Sequence, residues 1–170
     1  MKKNAKLLIC GALGVLMLFG YQANAQDETP LTDDELKKYA MVMDFAAQEK
    51  ERMQKDYNEL IQAEELMQGG RRFQELKGAK GDEAKLAELS ATEEELAVFN
   101  GIQTKYEEMV GSFKEAYTAK IKDKEQLGAG LYNRIGKALK ADEEVKGRYE
   151  AILEGVKAER QQDESVEDES

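Results

Sequence analysis

The 170-residue chain contains no histidine and no tryptophan, and cysteine and proline occur once each. The cysteine, Cys10, lies in an apolar stretch near the N-terminus, so the rest of the chain has no thiol. Nucleophilic machinery of the Cys-His and Ser-His-Asp types is therefore excluded there, and so are the usual zinc sites. Disulfides are excluded as well, so the stability must come from packing.

Basic side chains are scarce relative to acidic ones. The chain after residue 25 contains 22 Lys and Arg residues and 35 Asp and Glu residues, which gives a net charge of −13. The electrostatic field of such a negative charge repels nucleic acid phosphates and anionic lipid surfaces, so neither is expected as a partner. The only adjacent arginine pair, Arg71-Arg72, is interpreted as a solvated helix start. With 35% charged residues and Pro30 as the only proline, the composition is typical of long solvated helices.

The N-terminus has the pattern of a bacterial secretory signal. Three lysines precede an apolar run over residues 7–19, and Ala23-Asn24-Ala25 supplies the small residues of a cleavage site. An uncleaved anchor is the alternative, but the run is shorter than the roughly 20 residues that span a bilayer. Cys10 is a poor lipid-attachment site because no small residue precedes it. The sequence therefore predicts a signal peptide over 1–25, cleaved after Ala25, and a periplasmic or secreted protein.

A long helix is predicted to begin after Thr32. Thr32 and Glu35 form a capping box, in which the hydroxyl and the carboxylate satisfy free backbone N–H groups. Apolar residues then recur every three or four positions until Gly69-Gly70, which predicts a helix of about 36 residues and about 50 Å. A short amphipathic turn and a segment capped by Asp82 follow.

A second long helix is predicted after Ser90 and Thr92, which are overlapping caps, and it should end near Gly128. Gly101 and Gly111 within it are interpreted as close-packing points, with a kink as the alternative. A short helix and a final helix capped by Asp142 complete the pattern.

The second long helix repeats the first at an offset of sixty positions. Chance similarity between two amphipathic helices is the alternative to duplication. The sequence predicts an all-α, elongated antiparallel helical bundle built from two units, 26–90 and 91–160, and a disordered acidic tail, 161–170. The identical pairs are Thr32/Thr92, Glu35/Glu95, Leu36/Leu96, Tyr57/Tyr117, Ile61/Ile121, Glu65/Glu125 and Gly70/Gly130.

Two motifs resemble a known family. The first is the opening Leu-Thr-Asp-Asp-Glu-Leu-Lys-Lys-Tyr-Ala. The second is Leu131-Tyr132-Asn133-Arg134-Ile135, followed by Ala-Leu-Lys-Ala-Asp-Glu at 138–143. Both are similar to motifs of a secreted bacterial helical family known as domain of unknown function 4168. The resemblance covers most of residues 31–154 and implies a tandem pair of units. Its motifs are caps and core positions, so it implies no catalytic residues.

Carboxylate pairs are the remaining candidates for chemistry. Glu64-Glu65, Glu93-Glu94-Glu95 and Glu107-Glu108 could act as acid and base only if one carboxylate were desolvated in a cleft. Adjacent acids on a helix mostly face water, and the tyrosines fall on the apolar stripes, where core packing explains them. The sequence therefore predicts no catalytic, cofactor-binding or metal-binding residues and no cofactor.

The expected function is a non-enzymatic protein-interaction or assembly module with an unidentified protein partner in the cell envelope; a homo-oligomer is also allowed. The alternative is a periplasmic holdase-like chaperone. The Leu-Thr-x-x-Glu opening is similar to the Leu-Thr-x-x-Gln signature of periplasmic stress chaperones of the Spy type, and the methionines suit an adaptable surface.

Overall fold

The computed structural model describes residues 29–167, with side chains up to residue 162. This part of the chain contains helices and turns and no strand, so the all-α prediction is confirmed. The predicted signal peptide lies outside the described residues. The elements are α1 (Asp33–Ala63), a 3₁₀ helix (Glu65–Gly70), α2 (Arg71–Ala79), α3 (Glu83–Glu88), α4 (Glu93–Lys122), α5 (Ala129–Ala141) and α6 (Glu143–Glu167).

Both long helices begin with the predicted capping box. The Thr32 hydroxyl accepts the Glu35 N–H at 3.2 Å, and the Glu35 carboxylate accepts the Thr32 N–H at 2.9 Å. Thr92 and Glu95 repeat this arrangement at 3.1 and 2.9 Å. Local hydrogen bonding therefore decides where each long helix starts, which is why the sequence alone could locate both starts.

The predicted ends of the long helices are wrong. α1 ends at Ala63, and the 3₁₀ helix that follows carries Gln68, Gly69 and Gly70 at positive φ. α4 ends at Lys122, six residues before Gly128. Each early end allows a following side chain, Met67 or Leu127, to turn into the interior. Burial of these side chains outweighs the few hydrogen bonds that a longer helix would gain.

α1 and α4 pack against each other in antiparallel register. Gln103 donates to the Tyr57 hydroxyl at 2.9 Å, and the Tyr117 hydroxyl lies 3.8 Å from the Met43 sulfur. The two contacts are fourteen residues apart on both helices, so the register is regular. Each of the four buried residues of α4 also has a buried counterpart sixty positions earlier on α1. These pairs are Tyr39/Phe99, Val42/Ile102, Met53/Phe113 and Ile61/Ile121.

Two seven-residue apolar cores lie toward the opposite ends of this helix pair, and each takes residues from both halves of the chain. A much smaller central cluster separates them, formed by Ala46, Met53 and Phe113. The tyrosine core consists of Leu31, Leu36, Tyr39, Val42, Ile121, Leu127 and Ile135. The phenylalanine core consists of Tyr57, Ile61, Met67, Phe73, Leu76, Phe99 and Ile102.

An arginine joins each core to the capping box beside it. Arg72 on α2, only 9% exposed, holds both Glu95 carboxylate oxygens at 2.7 and 2.8 Å and also donates to the Leu89 carbonyl at 3.0 Å. Arg134 on α5 contacts the Glu35 carboxylate at 2.5 Å. Each capping glutamate thus serves two partners, one on its own helix and one on a short helix. The interpretation of Arg72 as solvated is wrong because Glu95 compensates its buried charge.

α6 runs parallel to α1 and therefore antiparallel to α4. Arg148 donates to the Leu31 carbonyl at 3.0 Å, and Arg160, twelve residues later, donates to Asp44 at 3.0 Å. Residue numbers therefore increase in the same direction on both helices.

The predicted disordered tail is helical as far as Glu167, and residues 168–170 lie outside the described part. α6 is already anchored on α1 through Arg160, so extending it requires no new nucleation. Glutamate and glutamine are also good helix formers.

The close-packing role of Gly101 and Gly111 is not observed. A Cβ added at either position would meet no described atom within 4 Å other than the adjacent residues and the surrounding backbone of α4 itself, and both residues are exposed. They lie on the solvent side of α4, so they do not contribute to packing against α1.

The shared cores predict that residues 26–90 do not fold alone. This fragment lacks Phe99 and Ile102 of the phenylalanine core and Ile135 of the tyrosine core. We expect low helicity by circular dichroism and a non-cooperative urea transition. Mixing the fragment with residues 91–170 should restore helicity. Cooperative unfolding of 26–90 by itself would contradict the shared cores.

The Arg72–Glu95 pair predicts acid-sensitive stability. Hydrogen bonds from Arg72 lower the pKa of Glu95 from 4.5 to about 2. Because the folded-state pKa lies below the unfolded one, this stabilisation is complete above pH 4.5 and is lost as the pH falls towards 2. Glu95→Gln should lower the free energy of unfolding by about 2 kcal/mol at neutral pH.

In urea titrations, the difference between Glu95→Gln and the wild type should shrink below pH 4.5. Glu94→Gln, at the exposed neighbouring position, is the control and should have little effect. An equal loss in both variants, or a difference that does not change with pH, would contradict the assignment.

Candidate protein-binding groove

A groove of about 570 Å³ runs between α1 and α4 beside the central cluster. Because the central cluster has only three buried residues, this stretch of the helix pair has the thinnest apolar packing. Side chains of both helices form the groove. Its apolar floor consists of Met53, Leu60, Met109, Phe113 and Ala116, and its polar rim consists of Glu49, Arg52, Asp56, Lys105, Glu108 and Ser112.

The floor combines packed and accessible apolar atoms. Met53 and Phe113 are buried as members of the central cluster, whereas Leu60 and Met109 are half-buried and Ala116 is exposed. Methionine is unbranched and polarisable, so Met53 and Met109 can adapt to different apolar surfaces. The groove therefore suits an apolar side chain of a partner better than a small polar ligand, which would need several converging donors.

The rim carries charges of both signs. Arg52 contacts Glu49 at 2.6 Å on the same helix. Within the described residues, Asp56, Lys105 and Glu108 have no opposite charge within the 4.0 Å of an ion pair. These three side chains are thus available to a partner that enters the groove.

A second surface concavity, of about 530 Å³, lies on α1 alone. Polar residues line it from Lys50 to Gln62, including Glu51, Lys55 and Glu59. All of its lining residues carry polar or charged side chains, and all of them belong to α1. We therefore place the candidate binding surface in the groove between the two helices.

Tyr39 of the tyrosine core and three tyrosines packed against that core form the other cluster of reactive groups. The hydroxyls of Tyr117 and Tyr132 are 3.2 Å apart, and the Tyr39 ring lies 5.5 Å from Tyr132 and 5.6 Å from Tyr149. Burial, together with the neighbouring phenols, raises the pKa of Tyr39 to about 12 and that of Tyr117 well above its ordinary value. Both phenols stay protonated near neutral pH, so they are poor metal ligands and poor bases. Their role is packing.

The carboxylates with shifted pKa values are held in the ionised form. Hydrogen bonds from Arg72 and from the backbone lower the pKa of Glu95. Hydrogen bonds from Lys85 lower the pKa of Asp82. Hydrogen bonds from Gln126 and from the backbone lower the pKa of Asp123. A general acid needs the opposite shift. In the part of the chain described, no three acidic side chains converge to hold a metal ion.

The apolar periodicity does not predict the groove, because Leu60 and Met109 fall on the apolar stripes of α1 and α4, whose residues are expected in the core. The signal was present in α1, where Leu60 and Ile61 are consecutive apolar residues. Two adjacent apolar residues on a helix point about 100° apart, so one of them faces away from a narrow helix–helix seam. Ile61 enters the phenylalanine core and Leu60 lines the groove.

None of the helices within residues 29–167 has both the length and the apolar character needed to cross a membrane. No protein-family model, curated protein or solved structure matches this chain. The function is therefore inferred from the groove and its charges.

Proposed function

We propose that this protein is a non-enzymatic helical interaction module that binds a protein partner through the groove between α1 and α4. The observation that carries the proposal is the groove's apolar floor, which is open between two long helices. Three of the charged side chains at its rim, Asp56, Lys105 and Glu108, have no ion-pair partner among the described residues. Apolar floors with polar rims are the usual anatomy of protein interfaces. The downward pKa shifts of Glu95, Asp82 and Asp123 support a structural role for these carboxylates rather than an enzymatic one.

The proposed location is the bacterial periplasm or the extracellular space. The lysines, apolar run and Ala23-Asn24-Ala25 site of residues 1–25 support export, although this segment lies outside the described residues. Export also suits the absence of a cysteine beyond Cys10, because such a chain has no thiol to oxidise outside the cytoplasm.

We further propose that the module is a duplicated pair of helical units related to the family known as domain of unknown function 4168. Three repeated features support duplication: the capping boxes, the four buried pairs of α1 and α4, and an arginine that binds each capping glutamate. Those arginines also indicate how the short helices α2 and α5 correspond. Arg72-Phe73 corresponds to Arg134-Ile135, since in both pairs the arginine binds a capping glutamate and the next residue is fully buried.

Partner binding can be tested with a photo-crosslinker at Ser112, an exposed rim position. In intact cells we expect a discrete higher-mass product from this position and none from a crosslinker at Ala151, which is exposed on α6. Met109→Lys should reduce the product at least about tenfold, because it places a charge in the apolar floor.

The control for that substitution is Lys114→Glu, an exposed position of α4 that does not line the groove. Circular dichroism should show that both variants are folded. Equal yields from Ser112 and Ala151, or an undiminished product in folded Met109→Lys, would contradict binding in the groove.

A holdase-like chaperone is the second candidate function. Met41 on α1, 55% exposed, supports it together with Met53 and Met109 in the groove, since methionines suit unfolded clients of varied sequence. An equimolar amount of the protein should then suppress light scattering by an unfolded outer-membrane protein. Met41→Gln combined with Met109→Lys should lose this effect. Unchanged client aggregation in the presence of the wild-type protein would eliminate the chaperone function.

A further inference from the structure

We propose that the partner in the groove is a second copy of this chain, related to the first by a twofold axis parallel to α1 and α4. This inference rests on the proposed function, since it names the occupant of the same groove. The observation that carries it is the order of charges along the rim, which is complementary to itself.

The register of α1 against α4 fixes which rim residues lie level with each other. It follows from the contacts of Tyr57 with Gln103 and of Met43 with Tyr117. Continued along the helices, this register places Arg52 level with Glu108 and Asp56 within one residue of the level of Lys105. At both levels the two edges of the groove therefore carry opposite charges.

A rotation of 180° about an axis parallel to the helices lays α1 of one copy on α4 of the other. It does not change the height of any residue along the helix axes. Arg52 of each copy then faces Glu108 of the other, and Asp56 faces Lys105. Two residue pairs thus give four ion pairs across the interface, as expected for a twofold contact in which one patch meets itself.

The same rotation closes the apolar floor. Leu60 and Met109, half-buried in one copy, would pack against their counterparts in the other. Two antiparallel helix pairs would then form a four-helix arrangement around the central cluster, where one copy alone buries only three residues. The dimer contact would therefore add buried apolar surface at the central cluster, where the single chain has the fewest buried residues.

The charge pattern favours a second copy over a strongly charged partner. The rim holds the acids Glu49, Asp56 and Glu108 and the bases Arg52 and Lys105, so its net charge is close to zero. A uniformly basic or acidic segment would meet like charges along the groove, which is unfavourable. A second copy presents the matching sign at both levels.

The contact is expected to be weak. The rim and floor span residues 49–60 of α1, which is about 18 Å of helix. We expect a patch of this length to bury less surface than the about 800 Å² per partner of a standard interface. We therefore expect a dissociation constant in the micromolar range, and the test covers protein concentrations up to several hundred micromolar.

The test uses sedimentation equilibrium of the protein purified after secretion from cells that express the full chain. The wild type should pass from monomer to dimer as its concentration rises. Arg52→Glu and Glu108→Arg should each weaken dimerisation at least about tenfold, because each places like charges face to face. The double variant Arg52→Glu/Glu108→Arg should restore dimerisation to within about threefold of the wild type, because it re-creates the pair with the signs exchanged.

Lys55→Glu is the control, since it reverses a charge on the same helix outside the groove. It should leave the dissociation constant unchanged, and thermal unfolding should show that all variants are folded. A wild type that remains monomeric throughout, or a dimer that persists in both single variants, would overturn the inference. So would a double variant as weak as either single one.

The crosslinker at Ser112 distinguishes failure of this inference from failure of the proposed function. A monomeric wild type whose Ser112 position captures a different protein, with loss of that product in Met109→Lys, would leave the interaction module standing and remove the second copy. A monomeric wild type with no product at Ser112 would remove both.

Discussion

The antiparallel register of α1 and α4 is the constraint on which the rest of the structure depends. Each long helix has two buried segments, and each segment is completed by residues from the other half of the chain. Tyr39 and Val42 of α1 pack with Ile121 of α4, whereas Ile61 of α1 packs with Phe99 of α4. Each such side chain contributes on the order of 1.5–3 kcal/mol when buried. A shift of one helical turn between α1 and α4 would misalign both cores at once. The packing of each core therefore fixes the same register independently of the other.

The arginines connect local helix formation to this register. A capping box needs only its own helix, but Glu35 and Glu95 also accept hydrogen bonds from Arg134 and Arg72 on short helices. The guanidinium of Arg72 is almost fully buried and has three acceptors, namely Glu95, Glu75 and the Leu89 carbonyl. An unpaired charge at this depth would be costly, so α2 is stable against α4 only when the capping glutamate is in place. The start of each long helix and the docking of a short helix thus depend on the same carboxylate.

The functional proposal follows from where the apolar packing is thinnest. The two cores stabilise the ends of the α1–α4 pair, and between them the central cluster leaves methionine and leucine side chains partly accessible. A region with fewer buried contacts opens more readily and adapts more easily to a partner. The groove also carries a nearly balanced set of charges within a strongly acidic protein. Long-range electrostatics therefore discourages polyanions, and under the proposed function the groove would select its partner by short-range charge order.

The sequence by itself determined the helical class, the starts of the helices and the stripes that face inward. Thr32, Thr92, Asp82 and Asp142 could be recognised as caps because capping uses hydrogen bonds within a few residues of the chain. Tertiary structure alone decided where the long helices end, why Arg72 is buried and which apolar residues line a groove. Those outcomes depend on groups far apart in sequence, such as Arg72 and Glu95 or Leu60 and Met109. Apolar periodicity shows that a side chain avoids water, but only the packed partner decides whether it lies in a core or at the edge of an open surface.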